Sequence, residues 1–355
     1  MRDHPPPRPC AVGRFPRPPR RCGLLPESPG LTARVSSSGS PRGKSKEPDV
    51  MIVRLKVGGI TLRVRSRQAL PSLLLRGVFP LFSAQRGGDI RIGVSRRLPQ
   101  IPSKTDLLFD SGGLWKVYGR NGGLLYSFRT PDGAEEFGRV LAVDSERREG
   151  TLHLPPSPWD NKRGYALMYP LDELIFQHHA ARAGKLFIHA CAVATGGKAL
   201  LFCGRSGAGK TTMARLWRRH RRSAVILSDD RSLIQEMDGT FRACGTPWHG
   251  LGKYASPGGR PLAAIFFLRQ GAEPVLEPLS RFEAAAELFS RSFYPPWEAE
   301  TVARVLQYCE RIAASVPCYG LTFRPDSSAV RTVEDMTGTR LTSNAGCVKG
   351  IASTW

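Results

Sequence analysis

Residues Gly204-Arg205-Ser206-Gly207-Ala208-Gly209-Lys210-Thr211 match the pattern G-x-x-x-x-G-K-[ST] at every fixed position. No other stretch constrains the fold as strongly, because such a loop belongs between a buried strand and the start of a helix. Both flanks are present. Ala199-Leu200-Leu201-Phe202-Cys203 is an apolar run of strand length, and Thr211 to His220 is rich in helix formers. Glycines at 204, 207 and 209 let the backbone curl so that successive N–H groups point inward. A helix opening at Lys210 adds the positive end of its dipole, which suits a phosphate. Lys210 is the expected partner of the β- and γ-phosphates, and the Thr211 hydroxyl the expected ligand of a Mg²⁺ ion that keeps several waters.

The segment just upstream decides the kind of sheet. Tyr169-Pro170-Leu171-Asp172-Glu173 opens a helix, with Pro in the first turn and acids behind it. Its apolar positions 171, 174, 175 and 180 keep helical spacing, and it ends near Gly184. Leu186 to Ala194 is an apolar strand, Thr195-Gly196-Gly197-Lys198 a turn, and Ala199–Cys203 the next strand. A hairpin thus pairs the strand entering the loop with the strand before it, whereas a parallel neighbour would need a much longer crossover. The expected class is α/β with a mixed (α+β) sheet, not an all-parallel one.

After the loop helix, Ala224-Val225-Ile226-Leu227-Ser228 reads as a strand that ends in Asp229-Asp230. The C-terminal ends of strands are where ligands bind in α/β sheets. A Mg²⁺ ion beside phosphates needs carboxylate help, and a hydroxyl nucleophile needs a base. Neighbouring residues of an extended chain face opposite ways, so the pair can divide those tasks. Further on, Phe241 to Gly250 is a strand leading into a rigid Gly/Pro loop, 261–268 a buried strand, 281–292 and 297–315 helices, and 318–323 a last strand.

Residues 1–48 are rich in Pro, Arg, Ser and Gly and are expected to be a disordered basic tail. Residues 49–160 read as a small β-rich domain: alternating runs around Gly58-Gly59, then short strands at 89–95, 114–119, 123–129, 137–143 and 150–154. Nothing in it has catalytic spacing. Residues 165–333 form the loop-bearing domain, and 334–355 a polar tail.

The net charge of +22 would suit an acidic partner, but no nucleic-acid module accompanies it and Arg is abundant throughout, so nucleic acid is not expected. No apolar run reaches the roughly 18 residues of a membrane span. The basic N-terminus lacks the apolar core of a secretory signal. The eight cysteines form no C-x-x-C and no zinc spacing, and Cys191 and Cys203 lie inside apolar strands. A reducing, cytoplasmic setting is expected. The N-K-x-D signature of guanine specificity is missing from the chain.

Taken together, Ile188-His189-Ala190, the hairpin, Gly204–Thr211, Ser228-Asp229-Asp230 and Gly245-Thr246-Pro247-Trp248 resemble the HPr kinase-like P-loop family, a relative of ATP-dependent phosphoenolpyruvate carboxykinase. The resemblance covers about 165–330 and departs at Thr212, where the family has an acidic residue. It implies a P-loop kinase core and ATP-dependent phosphorylation of a serine on a small protein or peptide. It implies His189, Lys210, Asp229 and Asp230 as catalytic residues. Gly204, Arg205, Ser206, Gly207, Ala208, Gly209, Lys210, Thr211 and Thr212 would bind ATP, with Thr211 and Asp230 on Mg²⁺. Which of the two aspartates is the base stays open, as does a homo-oligomeric state. The alternative is a non-catalytic ATP-binding regulator.

Overall fold

Gly58 and Gly59, at φ +53° and +81°, join β1 (Met51–Val57) to β2 (Ile60–Ser66). A two-residue hairpin turn of this hand needs positive φ at both central positions, and glycine adopts it without a Cβ clash. The computed structural model describes residues 50–67, 75, 77–129, 137–154, 167 and 169–337, so the expected tail at 1–48 lies outside the described residues. The hairpin begins an eight-stranded sheet with β3 (Ile90–Ser95), β4 (Leu107–Asp110), β5 (Trp115–Arg120), β6 (Gly123–Arg129), β7 (Phe137–Val143) and β8 (Glu149–His153). Its order is β1-β2-β3-β8-β7-β6-β5-β4. The β2–β3 and β3–β8 pairs are parallel and the rest antiparallel.

Helix α1 (Leu171–Arg182) carries the chain to the second sheet. Gly184 at φ +64° ends it, and the Lys185 N–H returns to the Ala180 carbonyl, the closing bond of a Schellman cap. A helix on a surface buries one stripe. In α1, Asp172, Glu173, Gln177 and His178 are buried along with Leu171 and Phe176. The cause is tertiary: α1 packs against β9, the fourth helix and β2.

The second sheet contains β9 (Leu186–Thr195), β10 (Lys198–Cys203), β11 (Val225–Ser228), β12 (Arg231–Met237), β13 (Thr240–Cys244), β14 (Gly259–Gln270), β15 (Val275–Pro278), β16 (Ser292–Phe293) and β17 (Cys318–Phe323). β9 and β10 form the expected antiparallel hairpin, with Ala199 opposite Ala194. β10 also runs parallel to β14, and β14 parallel to β17, so the strand orientation is mixed. The first half of β9 pairs with β12 and the second half with β10 and β11. Strand β12 and edge strand β15 are not among the strands read from the sequence.

Helix α2 (Lys210–His220) and helix α5 (Ser327–Thr337) bury Met213, Trp217, Val330 and Val333 against one side of β10 and β14. Helices α3 (Arg281–Phe289) and α4 (Ala299–Ser315) bury Leu288, Val305 and Ile312 against the other. The sequence reading ends the folded part at 333, but α5 continues to Thr337. The correction has a physical cause: Glu334 is buried in an ion pair with Arg221 that ties α5 to the end of α2. The rest of the expected polar tail lies outside the described residues.

The described residues all belong to one compact unit. The β-rich half joins the second half through a Tyr126 hydroxyl–His178 Nδ1 hydrogen bond of 2.6 Å, an Arg147–Glu298 ion pair of 3.0 Å and the ring cluster of Phe109, Trp115 and Trp297. The Lys185 ammonium donates to the Gly58 carbonyl, fixing the tip of the first hairpin. Cys191, Cys203, Cys244, Cys309 and Cys318 are buried free thiols. No helix among the described residues is long and apolar enough to cross a membrane.

Candidate functional site

The loop from Gly204 to Gly209 leaves the C-terminal end of β10 and turns directly into α2. Gly207 and Gly209 take φ +83° and +106°. A Cβ on Gly209 would stand 2.6 Å from the Phe323 ring, and one on Gly204 would stand 2.6 Å from the Ala208 methyl. Backbone freedom and close approach therefore both call for glycine. The Ala208 N–H donates to the Arg205 carbonyl at 3.1 Å and tightens the curl, and the Gln270 amide holds the Gly207 carbonyl at 2.8 Å. The first amides of α2, at 210 to 212, have no carbonyl four residues back within the helix to bind. Thr211 and Thr212 stand in that first turn, both half-buried.

Lys210 is only 6% exposed. Its ammonium donates to the Gly204 carbonyl at 2.9 Å and the Arg205 carbonyl at 3.1 Å, and lies 4.0 Å from Asp230 Oδ1. Burial pushes its pKa down to about 8, with the Asp230 charge opposing the fall.

The two aspartates divide as neighbours at a strand end can. Asp229 is fully buried. Its Oδ1 accepts the Gly250 N–H and its Oδ2 the Gly252 N–H, each at 2.8 Å. The Thr211 hydroxyl stands 3.4 Å from the same Oδ2. The carboxylate that meets Thr211 is thus Asp229, whereas the sequence reading pairs Thr211 with Asp230 for a metal. Ser228 Oγ accepts the N–H groups of Asp230 and Arg231 in the bend between β11 and β12, where Asp229 lies beside Thr211 and Asp230 beside Lys210 and His189.

Asp230 is partly exposed. One oxygen meets His189 Nε2 at 2.8 Å and the other meets Arg231 Nη1 at 2.5 Å. Burial raises its pKa, but the His189 hydrogen bond and the Arg231 charge outweigh that and leave it below the usual carboxylate value. Burial holds the His189 pKa below its usual value despite the Asp230 bond. His189 is then neutral near pH 7, and the tautomer that fits donates Nε2–H to the carboxylate.

Several contributing residues have no motif of their own. Arg231 follows the acid pair, and its side chain is 7% exposed. Its Nε donates to Glu173 Oε1 at 2.7 Å, an oxygen that also accepts from the Gln177 amide. Its guanidinium sits 4.3 Å from the centre of the Phe293 ring, and its carbonyl accepts the buried Thr246 hydroxyl. Gly250 and Gly252 escape notice because an amide that clamps a carboxylate carries no side-chain signature. The only available signal was the Gly-rich stretch itself. Arg215, Arg218 and Arg219 of α2 and Arg222 just beyond it are all exposed, with Arg218 over the Tyr254 ring.

Around the loop stand a buried lysine, a helix N-terminus, and a hydroxyl 3.4 Å from a carboxylate. That set suits a polyphosphate and a hard cation that draws its remaining oxygens from phosphate and water. Among the described residues no group of three or more His, Cys, Asp and Glu side chains is arranged to hold a metal by itself.

A family model described as "ScmC: SynChlorMet cassette protein ScmC" matches residues 166–324, somewhat less than half of the chain. No curated protein matches. Among solved structures, the HPr(Ser) kinase/phosphatase from Coxiella burnetii is similar at 11% identity and a TM-score of 0.26, over 43% of this chain and 93% of that one.

Proposed function

We propose that the chain is an ATP-dependent kinase that transfers the γ-phosphoryl group to a hydroxyl, a serine of a small protein or peptide. The observation that carries the reading is convergence. The 204–211 loop, the Thr211–Asp229 contact and the Lys210–Asp230–His189 chain all meet at the ends of β10 and β11.

The loop amides and Lys210 bind the phosphates, with Lys210 exchanging its two carbonyl partners for phosphate oxygens. Thr211 and Asp229 would hold Mg²⁺, whose contribution is to neutralise charge on the β- and γ-phosphates. Asp230 accepts the proton of the attacking hydroxyl. The acceptor oxygen forms a bond to the γ-phosphorus, the bond to the β-bridging oxygen breaks, and ADP leaves. In a loose transition state proton transfer comes late, so a weakly basic carboxylate serves when it is well aimed. His189 holds one Asp230 oxygen and aims the other side of the group.

The test is transfer of label from γ-labelled ATP with Mg²⁺ to serine-containing peptides. Wild type is expected to give acid-stable phosphoserine, and Lys210→Ala to lose at least about a hundredfold in rate. Equal labelling by Lys210→Ala would end the proposal. Nucleotide binding without transfer would leave the non-catalytic regulator.

A further inference from the structure

We propose that Arg231 is a positioning residue for phosphoryl transfer, a buried clamp that Glu173 of α1 holds in place so that it fixes the Asp230 carboxylate from the side opposite His189. The inference rests on the kinase reading above and assigns a role to residues outside the phosphate loop.

The geometry is specific. Arg231 and Glu173 have side chains only 7% and 5% exposed. Removing both charges from water is costly and is offset only by close hydrogen bonds. Arg231 spends two different nitrogens in this way, Nε on Glu173 and Nη1 on Asp230. A guanidinium is a rigid planar fork, so fixing one nitrogen fixes the direction of the next. The Phe293 ring over its face and the β12–β9 pairing of Arg231 with His189 close the remaining freedom. Asp230 therefore has one oxygen tied to His189 and one to Arg231, which sets its plane. A carboxylate held by a single contact can rotate about its Cβ–Cγ bond, and small misplacements of a reacting group carry large rate penalties. Glu173 makes no contact with Asp230 of its own in this chain of bonds. Its part is to stop Arg231 from swinging over.

A structural ion pair and a positioning clamp predict different kinetics. Label transfer, affinity for a fluorescent ATP analogue and Tm should be measured for wild type, Arg231→Lys, Arg231→Gln, Glu173→Gln, Asp230→Asn and the double variant Asp230→Asn/Arg231→Gln. Arg231→Lys keeps the charge but cannot span both carboxylates, so kcat should fall about tenfold while nucleotide affinity stays within about twofold. Arg231→Gln should fall about a hundredfold, and Glu173→Gln about tenfold. In the Asp230→Asn background, Arg231→Gln should cause no further loss, because Arg231 acts through Asp230.

Unchanged kcat in Arg231→Lys and Glu173→Gln would overturn the proposal. So would additive losses in the double variant, or a kcat loss that tracks equal losses of nucleotide affinity and Tm. Should Arg231→Gln fail to fold, Arg231→Lys and Glu173→Gln decide alone. Wild type that transfers no label to any peptide would overturn the kinase reading and this proposal with it. Transfer by wild type with insensitive Arg231 variants would overturn this proposal only.

Discussion

Replacing Gly252 by Ala isolates the amide clamp on Asp229. Gly252 does not occupy positive φ, so the added methyl brings no backbone strain, only contact. A Cβ there would stand 2.7 Å from Asp229 Oδ2 and 2.7 Å from the Tyr254 ring. The loop must retreat, and the 2.8 Å Gly252 N–H bond to Asp229 is lost. A hydrogen bond to a carboxylate contributes about 1.5–3 kcal/mol. Removing a glycine returns about 0.5 kcal/mol by restricting the unfolded chain. The net cost is roughly 1–2.5 kcal/mol, which lowers Tm by about 2–6 °C for a unit of this size. Gly119→Ala is the matched control, because its nearest atoms beyond its chain neighbours are Leu108 Cδ1 at 3.8 Å and Asp106 O at 3.9 Å. The same chemical change should there be neutral or slightly stabilising. Thermal unfolding followed by circular dichroism reads both. Gly252→Ala melting at or above wild type would refute the clamp. So would an undiminished effect in an Asp229→Ala background, where the partner is already gone.

Two further outcomes follow from buried polar groups on α1. Tyr126→Phe leaves Nδ1 of the buried His178 without its 2.6 Å partner, at a cost of about 1–3 kcal/mol. Because the two halves form one unit, denaturant unfolding of that variant should show a single shifted transition rather than loss of the β-rich half alone. Burial raises the Asp172 pKa from an ordinary 3.8 to about 7, with the Trp248 indole, the Glu173 amide and Arg139 opposing. The folded state then binds more protons than the unfolded state between those values. The Asp172 contribution to stability is fully present below about pH 4 and is lost as the pH rises through 7. Asp172→Asn should therefore raise Tm relative to wild type at pH 8, with the difference vanishing toward pH 4. A pH-independent difference would count against the buried acid.

Much of the site was legible because it is local. The fixed positions of the 204–211 loop, its strand and helix flanks, and the hairpin that makes the sheet mixed are all statements about adjacent residues. Asp229-Asp230 and His189 could be singled out, and the fold brings them to the loop, with His189 2.8 Å from Asp230. What one residue does to its neighbours in space was not legible. Thr211 meets Asp229 rather than Asp230 at a bend where Ser228 Oγ holds the next two amides. Strand β12 hid behind its charged and polar residues, since Arg231, Ser232 and Gln235 are buried with partners rather than exposed.

The sequence by itself determined a glycine-rich loop between strand and helix, an antiparallel entry to it, and the acidic pair downstream, because turn chemistry and periodicity act over a few residues. Only the tertiary structure decided that α1 is buried on several sides and that its Glu173 reaches Arg231, or that two glycine amides grip Asp229. Those choices depend on burial of charge, and a buried charge is tolerated only where distant parts of the chain supply its partner.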